Sequence, residues 1–278
     1  MIALLAVAVT FTLDNRIATR QEQAEERRAD LQEEAEERRA DQQEVLENLR
    51  FVRDRSGDRT SLKPFGSMLL RGASLNGLDL GCPKTDLTRC ATFDSADMRE
   101  TGLVTAKLNN ASLRATNLTD AHLTGADLTD ADFTEGDLIG ADLTRSDLTR
   151  ADLTEANLTD ANLTGANLTD AVLPRADLTG ASLWYAKLGG ANLTGANLSG
   201  QDHWYASFSG ANLSYADFTG TELWAANLTD ANLTGANLTG AGLSSANLTG
   251  ANLTDVCFDN RTIWPQRFQR PAVAHCGG

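Results

Sequence analysis

Large apolar residues recur at every fifth position over the central part of the chain. From Phe93 to Phe258, every fifth residue is Leu, Phe or Met, with the single exception of His203. A small residue, most often Ala, stands two positions before each of them, Asp or Asn commonly stands directly before it, and Thr commonly follows it. The pattern therefore predicts one structural unit of five residues that is repeated along the chain.

A five-residue period fits neither a helix nor a flat strand. Successive helical residues are turned by about 100°, so this spacing would wind the apolar side chains around the helix axis, whereas a strand requires a period of two. A chain that turns a corner every five residues satisfies the pattern. The apolar residue, here called the centre of its repeat, and the small residue then point inward, and the other three point outward.

The sequences Ala-Asn-Leu-Thr-Asp, Ala-Asn-Leu-Thr-Gly and Ala-Asp-Leu-Thr-Arg, repeated from about Ala91 to Val256, resemble the motif of the pentapeptide-repeat family. The resemblance implies an all-β solenoid, a right-handed quadrilateral β-helix with four repeats, and hence about 20 residues, per coil. Successive coils would stack at about 4.8 Å, the spacing between strands of a sheet. Residues one coil apart then become neighbours on one face, and the two ends of the solenoid must be capped.

The remaining sequence divides into segments of different composition. Residues 1–13 carry no charged side chain, and we interpret them as part of a transmembrane or other apolar anchor whose start lies upstream of Met1, with a signal peptide as the alternative. The next segment is rich in Glu and Arg and repeats after eleven residues, which predicts a long helix that is either solvated or self-associating as a coiled coil. The predicted boundaries are 1–13 for the anchor, 14–55 for the helical stalk, 56–67 for a linker, 68–264 for the β-helix with a slip of register at 81–92, and 265–278 for a C-terminal cap or tail.

Charge and cysteine content bear on partners and location. The net charge of −14 disfavours direct binding to nucleic acid. Arginines that follow the apolar segment, such as Arg16 and Arg20, favour a membrane-associated protein with its body in the cytoplasm, with the extracellular side as the alternative. If the protein is exported, we expect the disulfides Cys82–Cys90 and Cys257–Cys276; in the cytoplasm the four would be thiols.

Aromatic residues recur at the spacing predicted for one coil. Trp184, Trp204 and Trp224 are 20 residues apart, Trp264 follows 40 residues later, and Tyr185 and Tyr205 repeat the spacing, so all four tryptophans are predicted to share one face. Gln201 and His203 replace the small residue and the centre, which predicts polar groups in the core or an opened coil. One hypothesis is a partner-binding site here, and the alternative is an aromatic ladder that stiffens the stack. The site would comprise Trp184, Tyr185, Asp202, His203, Trp204, Tyr205, Glu222 and Trp224.

An acidic belt is predicted on successive repeats of the N-terminal half. Its members directly precede six successive centres: Asp127, Asp132, Asp137, Asp142, Asp147 and Asp152. Some members of the pentapeptide-repeat family imitate the DNA double helix and bind DNA gyrase through acidic surfaces, so the resemblance implies such a mimic as one possibility. The alternative is that the repeat merely tolerates Asp at this position.

No arrangement of residues in the sequence indicates catalysis. His122, His203 and His275 are isolated from one another, and the chain contains no phosphate-binding loop and no motif for a metal or a cofactor. We therefore predict a non-enzymatic, membrane-tethered binding or scaffold protein that recognises a protein partner. An acidic mimic directed at gyrase or another nucleic-acid enzyme, and an extracellular glycan-binding solenoid, are the alternatives.

Overall fold

The computed structural model describes residues 2–56, 63–82, 85 and 90–271. Within these residues, a single helix, α1 (Ile2–Arg55), is followed by two short strands, β1 (Lys63–Pro64) and β2 (Ala91–Thr92), which pair in parallel. The contacts divide the chain into two units, Met1–Leu46 and Glu47–Gly278. The first unit is helical and is continuous through the predicted anchor and most of the predicted stalk. No helix in the described ranges is long and apolar enough to cross a membrane, so the structure gives the predicted anchor no support.

The second unit is a β-helix whose coils contain 20 residues. Successive coils pair through single parallel bridges, one on each side, and one side forms the series Asn117, Asp137, Asn157 and Asp177. The bridge between Ser182 and Asp202 is missing from the pairs of the described chain. The bridging residues all directly precede a centre, while the centres and the small residues face inward and most of them are buried, with Gln201 as an exposed exception. Four five-residue sides per coil give the quadrilateral cross-section that the resemblance to the pentapeptide-repeat family implies.

A hydrogen-bonded turn forms most corners, although not the one at Gln201. The N–H of the small residue donates to the carbonyl of the preceding centre, for example from Ala126 to Leu123 at 3.0 Å. The second of the two residues between them has a positive φ, 64° at Gly125 and 58° at Asp130, as position three of a type II turn requires. Gly and Asp tolerate this left-handed conformation well, which explains their frequency two positions after the centre.

Asn and Thr side chains join successive coils along the outside. The Oδ1 atom of the Asn or Asp before a centre accepts the N–H and the hydroxyl of the Thr two residues later, at 3.2 and 2.7 Å for Asn192 and Thr194. An Asn also donates its Nδ2–H to the Thr of the previous coil, as Asn212 does to Thr194 at 2.9 Å. Asp lacks this donor. Asn can therefore donate between coils, whereas Asp can only accept there, as Asp142 does from the hydroxyl of Thr124 at 2.8 Å.

The β-helix begins earlier than the sequence analysis predicted. Phe65, five residues before Leu70, occupies an inward position, is fully buried and packs on Phe93 with ring centroids 5.0 Å apart. Residues 63–67, predicted as linker, thus belong to the first coil. Across the slip at 81–92 the bridging residues are 28 apart, as in Leu69 with Asp97, before the 20-residue register is established.

The last turns of α1, which lie within the second unit, cover the open edge of the first coil. Carbonyl groups that would otherwise accept from a preceding coil instead accept from α1 side chains: Asn48 donates to Leu69 at 3.0 Å and Arg53 to Ser74 at 2.9 Å. Val52 is fully buried at this end. A solenoid needs such a cap because an uncovered coil presents apolar side chains and unpaired backbone groups to water.

The C-terminal end contains a second change of register. Ile263 bridges Gly242, and Leu243 donates its N–H to the Ile263 carbonyl at 2.7 Å, so the spacing grows by one residue. Trp264 consequently takes the centre position that the five-residue count assigns to Ile263. Its ring stacks on Phe268 at 5.5 Å and meets Phe258 edge-on at 5.4 Å. The prediction that all four tryptophans share one outward face is therefore wrong for Trp264.

Candidate functional site

Five aromatic side chains form a continuous surface on one outward face, the aromatic surface: Trp184, Tyr185, Trp204, Tyr205 and Trp224. Trp184 and Trp204 stack with centroids 5.4 Å apart and planes 8° apart, and Tyr185 and Tyr205 stack at 4.9 Å and 5°. These separations follow from the coil, since residues 20 apart are held at about the inter-strand spacing of 4.8 Å.

Trp224 closes the C-terminal side of this surface. Its ring stands edge-on to both columns, with centroids 6.0 Å from Trp204 and 5.0 Å from Tyr205. Although packed on one another, the rings stay open to solvent, with 39% of Trp184 and 57% of Tyr185 exposed. The Nε1–H of Trp204 is covered and has no acceptor. The surface is thus both pre-ordered and accessible.

The coil opens directly beneath the aromatic surface. In adjacent repeats the residue before the centre donates its N–H to the small residue of the previous coil, as Asn197 does to Ala176 at 3.0 Å. Asp202 makes no such bond to Ala181, and the described chain shows no bond from Leu183 to the Asp202 carbonyl. Gln201 turns outward and is exposed. The sequence predicted either polar groups in the core or an opened coil, and at Gln201 the coil is opened.

His203 remains inside and is fully buried. Its Nε2 lies 3.1 Å from the carbonyl of Leu198, which also accepts the hydroxyl of Thr221 at 2.7 Å. A carbonyl can only accept, so Nε2 carries the proton and replaces the N–H that Gln201 no longer supplies. Nδ1 has no partner. Burial lowers the pKa of His203 from 6.5 to about 4, with the hydrogen bond to Leu198 opposing the shift, so the ring is neutral at physiological pH.

Two carboxylates border the tryptophan column. Asp202 and Glu222 bridge one another on successive coils, and the described residues form no ion pair with either. A Cβ at Gly242 would overlap the carboxylate of Glu222, so glycine there leaves room for this side chain. All eight residues predicted for the site thus belong to one region, with His203 inside the core rather than on the surface.

The acidic belt is built into the turns of the coil. Asp132 Oδ1 accepts the N–H and the hydroxyl of Thr134 at 2.9 and 2.6 Å, and Asp147 and Asp152 bind their own Thr residues in the same way. At Asp137 the second following residue is Ile139, and its buried Oδ1 has no partner. Except at Asp137, the belt therefore serves the turns of the coil first.

Two members of the belt have lowered pKa values. Partial burial alone would raise the pKa of Asp132, but hydrogen bonds from Thr134 and the ion pair with Arg114, at 3.1 Å, outweigh it. At Asp142, burial is likewise outweighed by hydrogen bonds from Thr144 and Thr124. Both carboxylates are therefore charged at neutral pH, as a double-helix mimic would require.

Asp147→Asn is expected to stabilise the β-helix by about 0.5–1 kcal/mol. Asp127 and Asp147 bridge one another, and like charges at directly opposed positions are destabilising. Asparagine would remove this repulsion and could donate to Thr129, as Asn167 donates to Thr149 at 2.8 Å. The measurement is urea unfolding at low and high salt. A gain that shrinks with salt supports the repulsion, and destabilisation would contradict it.

A polar groove that the sequence analysis did not identify lies beside the slip of register. It encloses about 540 Å³ and is lined by Asp79, Cys82, Lys107, Asn110, Asp130 and Arg150, among others. Asn109 and Asn110 both donate to the carbonyl of Cys82 at 2.7 Å, and Arg150 binds the carboxylate of Asp130 through two hydrogen bonds, at 2.8 and 2.7 Å. Lys107 also pairs with Asp79 at 3.9 Å, so most of the charges that line the groove are already paired.

Cys82 and Cys90 form a disulfide with Cα atoms 4.9 Å apart. Cys257 is also disulfide-bonded, while Cys276, its predicted partner, lies outside the described residues together with His275. No group of three or more His, Cys, Asp or Glu in the described ranges is arranged to hold a metal ion.

Comparisons with known proteins agree with this fold. The family model described as pentapeptide repeats matches in eight copies, over residues 96–134, 106–145, 126–165, 156–195, 191–223 and 226–260. No curated protein is significantly similar in sequence.

Several solved structures are similar to the chain. HetL, a pentapeptide repeat protein involved in heterocyst differentiation regulation from the cyanobacterium Nostoc sp. strain PCC 7120, is 35% identical over 72% of this chain and 89% of its own, with a TM-score of 0.41. Rfr23 of the cyanobacterium Cyanothece 51142 is 37% identical over 41% of this chain and 63% of its own, with a TM-score of 0.26. QnrB1, a plasmid-mediated fluoroquinolone resistance protein, is 22% identical over 72% of this chain and 86% of its own, with a TM-score of 0.32.

Proposed function

Because the chain belongs to the pentapeptide-repeat family, we propose that it is a non-enzymatic binding protein that recognises a protein partner through the aromatic surface. One observation supports this most strongly: five aromatic rings, packed in register on successive coils, remain partly exposed. Tyr and Trp contribute most of the energy at many protein interfaces, because they bury much area while losing little conformational freedom.

Rigidity of the scaffold favours the same function. Each ring is fixed by its stacked neighbour and by a backbone whose coils are hydrogen-bonded, for example from Tyr205 to Trp224 at 3.1 Å. A partner therefore need not order these side chains on binding, which lowers the entropic cost of association. An aromatic ladder that only stiffens the coil would gain nothing from leaving 57% of Tyr185 in solvent.

Photo-crosslinking in the native host tests this function. The photoreactive residue p-benzoylphenylalanine would replace Tyr185, and in a matched variant it would replace Tyr215, an exposed tyrosine on another face that is 69% accessible. We expect a discrete protein conjugate from position 185 and none from position 215. Equal labelling from both positions, or no conjugate from position 185, would refute the proposed surface.

The acidic belt supports a second candidate function, an acidic mimic that occupies the DNA-binding site of gyrase or a similar enzyme. The supporting observation is that Asp127 with Asp147, and Asp132 with Asp152, stack as like charges on successive coils. If this candidate is correct, the purified protein inhibits gyrase supercoiling, and neutralising Asp132 and Asp152 to Asn abolishes the inhibition. No inhibition at high protein concentration would exclude it.

We further propose that the β-helix functions in an oxidising compartment, the alternative location considered from the sequence and one in which the gyrase candidate would not apply. The Cys82–Cys90 disulfide supports this, because such bonds persist outside the reducing cytosol. Self-association through α1 also remains a proposal. Its side chains from Arg27 to Glu44 are exposed and Leu31 is 63% accessible, so a second copy could pack along the helix.

A further inference from the structure

The aromatic surface carries negative charge along one side. Asp202 and Glu222 directly precede two successive centres, and Trp204 and Trp224 directly follow the same centres. Carboxylate and indole columns thus run side by side, about 6–7 Å apart along the extended backbone. From Ser182 to Ser245, the outward positions of this face include two carboxylates and no Lys or Arg.

Asp202 and Glu222 differ from several other carboxylates of the β-helix in having no cationic side chain paired with them. Asp97, Asp130 and Glu155 each form an ion pair with a nearby arginine. Asp202 and Glu222 form none within the described chain and give up no oxygen to a threonine turn, because Trp204 and Trp224 stand where that threonine would be. The replacement of Thr by Trp therefore both creates the aromatic column and frees the adjacent carboxylates.

A planar cation is complementary to both the carboxylate column and the indole column. A guanidinium stacks on the face of Trp or Tyr and can pair with a carboxylate in the same plane through two hydrogen bonds. A neutral sugar would stack on the rings but would leave the two charges unpaired. The net charge of −14 also favours the approach of a basic partner.

We propose that the aromatic surface, together with Asp202 and Glu222, binds arginine side chains on a basic segment of the partner protein. This inference rests on the proposed function, because it names the chemistry of the partner that the same surface recognises. The rings hold the guanidinium planes, and the carboxylates neutralise their charge. Lysine would bind more weakly, since its ammonium lacks the planar, bidentate geometry.

The test is a titration of the full chain followed by NMR of the four indole N–H groups. The probe is a capped Gly-Arg-Gly-Arg-Gly peptide, and its counterpart contains citrulline, which has the same shape without the charge. We expect the arginine peptide to shift the resonances of Trp184, Trp204 and Trp224 while Trp264, at the C-terminal end, serves as an internal reference. Citrulline should weaken binding roughly tenfold, because it removes both the cation–π and the ionic contacts.

Two matched double variants distinguish binding of the arginine peptide at this site from nonspecific attraction of a cationic peptide to an acidic protein. Asp202→Asn/Glu222→Gln should weaken the arginine peptide roughly tenfold, whereas Asp170→Asn/Asp230→Asn, the same loss of charge at exposed positions on another face, should leave it unchanged. Equal affinity for the citrulline peptide, or equal shifts of Trp264, would overturn the inference.

The remaining outcomes distinguish this inference from the function on which it rests. Indole shifts caused by a cellohexaose probe and not by the arginine peptide would identify a glycan surface instead. If position 185 crosslinks a protein but the arginine peptide causes no shift, protein binding stands and the cationic chemistry is wrong. If both experiments fail, the aromatic surface has neither role.

Discussion

Because of His203, the protein is expected to lose about 3 kcal/mol of folding stability on acidification. Replacing His203 with leucine is expected to remove this loss. The folded-state pKa is about 4 and the reference value is 6.5. Between these values the unfolded chain binds a proton that the folded chain excludes, so the native protein loses stability as the pH falls from about 6.5 to about 4 and loses no more below that. Above pH 6.5 the wild-type stability is independent of this group.

The measurement is the free energy of unfolding in urea at several pH values between 7 and 4.5, where the carboxylates with lowered pKa contribute least. The leucine variant should show a nearly flat profile and higher stability at every pH, because leucine fills the same position in the other coils and leaves no polar atom unpaired. His122→Gln, at an exposed histidine, is the matched control and should retain the wild-type slope. A leucine variant with the same slope would show that His203 is not the buried titrating group.

Val52→Asp is expected to destabilise the β-helix by about 3–5 kcal/mol. Val52 is fully buried where the end of α1 covers the first coil, and a carboxylate there would have no partner. Hydrogen exchange should rise first in residues 63–80, because repeats at an uncapped end of a solenoid unfold most readily.

Leu46→Asp provides the control for this prediction. Leu46 lies on the same helix but is 55% exposed, so the same substitution should change stability by less than about 0.5 kcal/mol. If Val52→Asp left exchange in residues 63–80 unchanged, α1 would not be the cap. A uniform rise in exchange over all coils would instead indicate that the β-helix unfolds as one unit.

The repeated part of the chain could be predicted closely, because each residue type has one position in the five-residue unit. The stacking of Trp184 on Trp204 and of Tyr185 on Tyr205 follows directly from the 20-residue coil. The outcome at Gln201 and His203 could not be decided, since either residue could have turned outward. The structure keeps the histidine because the Leu198 carbonyl is available to it.

The two ends of the β-helix were less predictable. A signal existed for Trp264: Thr262 is a small residue two positions before it, whereas the alternative register would place Arg261 inward. The hydroxyl of Thr262 donates to Leu238 at 2.8 Å, as Thr221 does to Leu198. The sequence gives no comparable indication that Asn48 and Arg53 cap the first coil, because their acceptors are backbone carbonyls of a distant segment.

The central claim is that the exposed rings bind a partner and do not merely stabilise the coil. The direct measurement places p-benzoylphenylalanine at Thr164, on the same face as the aromatic surface. The yield of the protein conjugate and the free energy of unfolding are then compared with and without Tyr185→Ser. The account predicts that the conjugate is lost while stability falls by no more than about 1.5 kcal/mol, the value of one aromatic pair. An undiminished conjugate with a larger loss of stability would show that the aromatic surface is only a structural ladder.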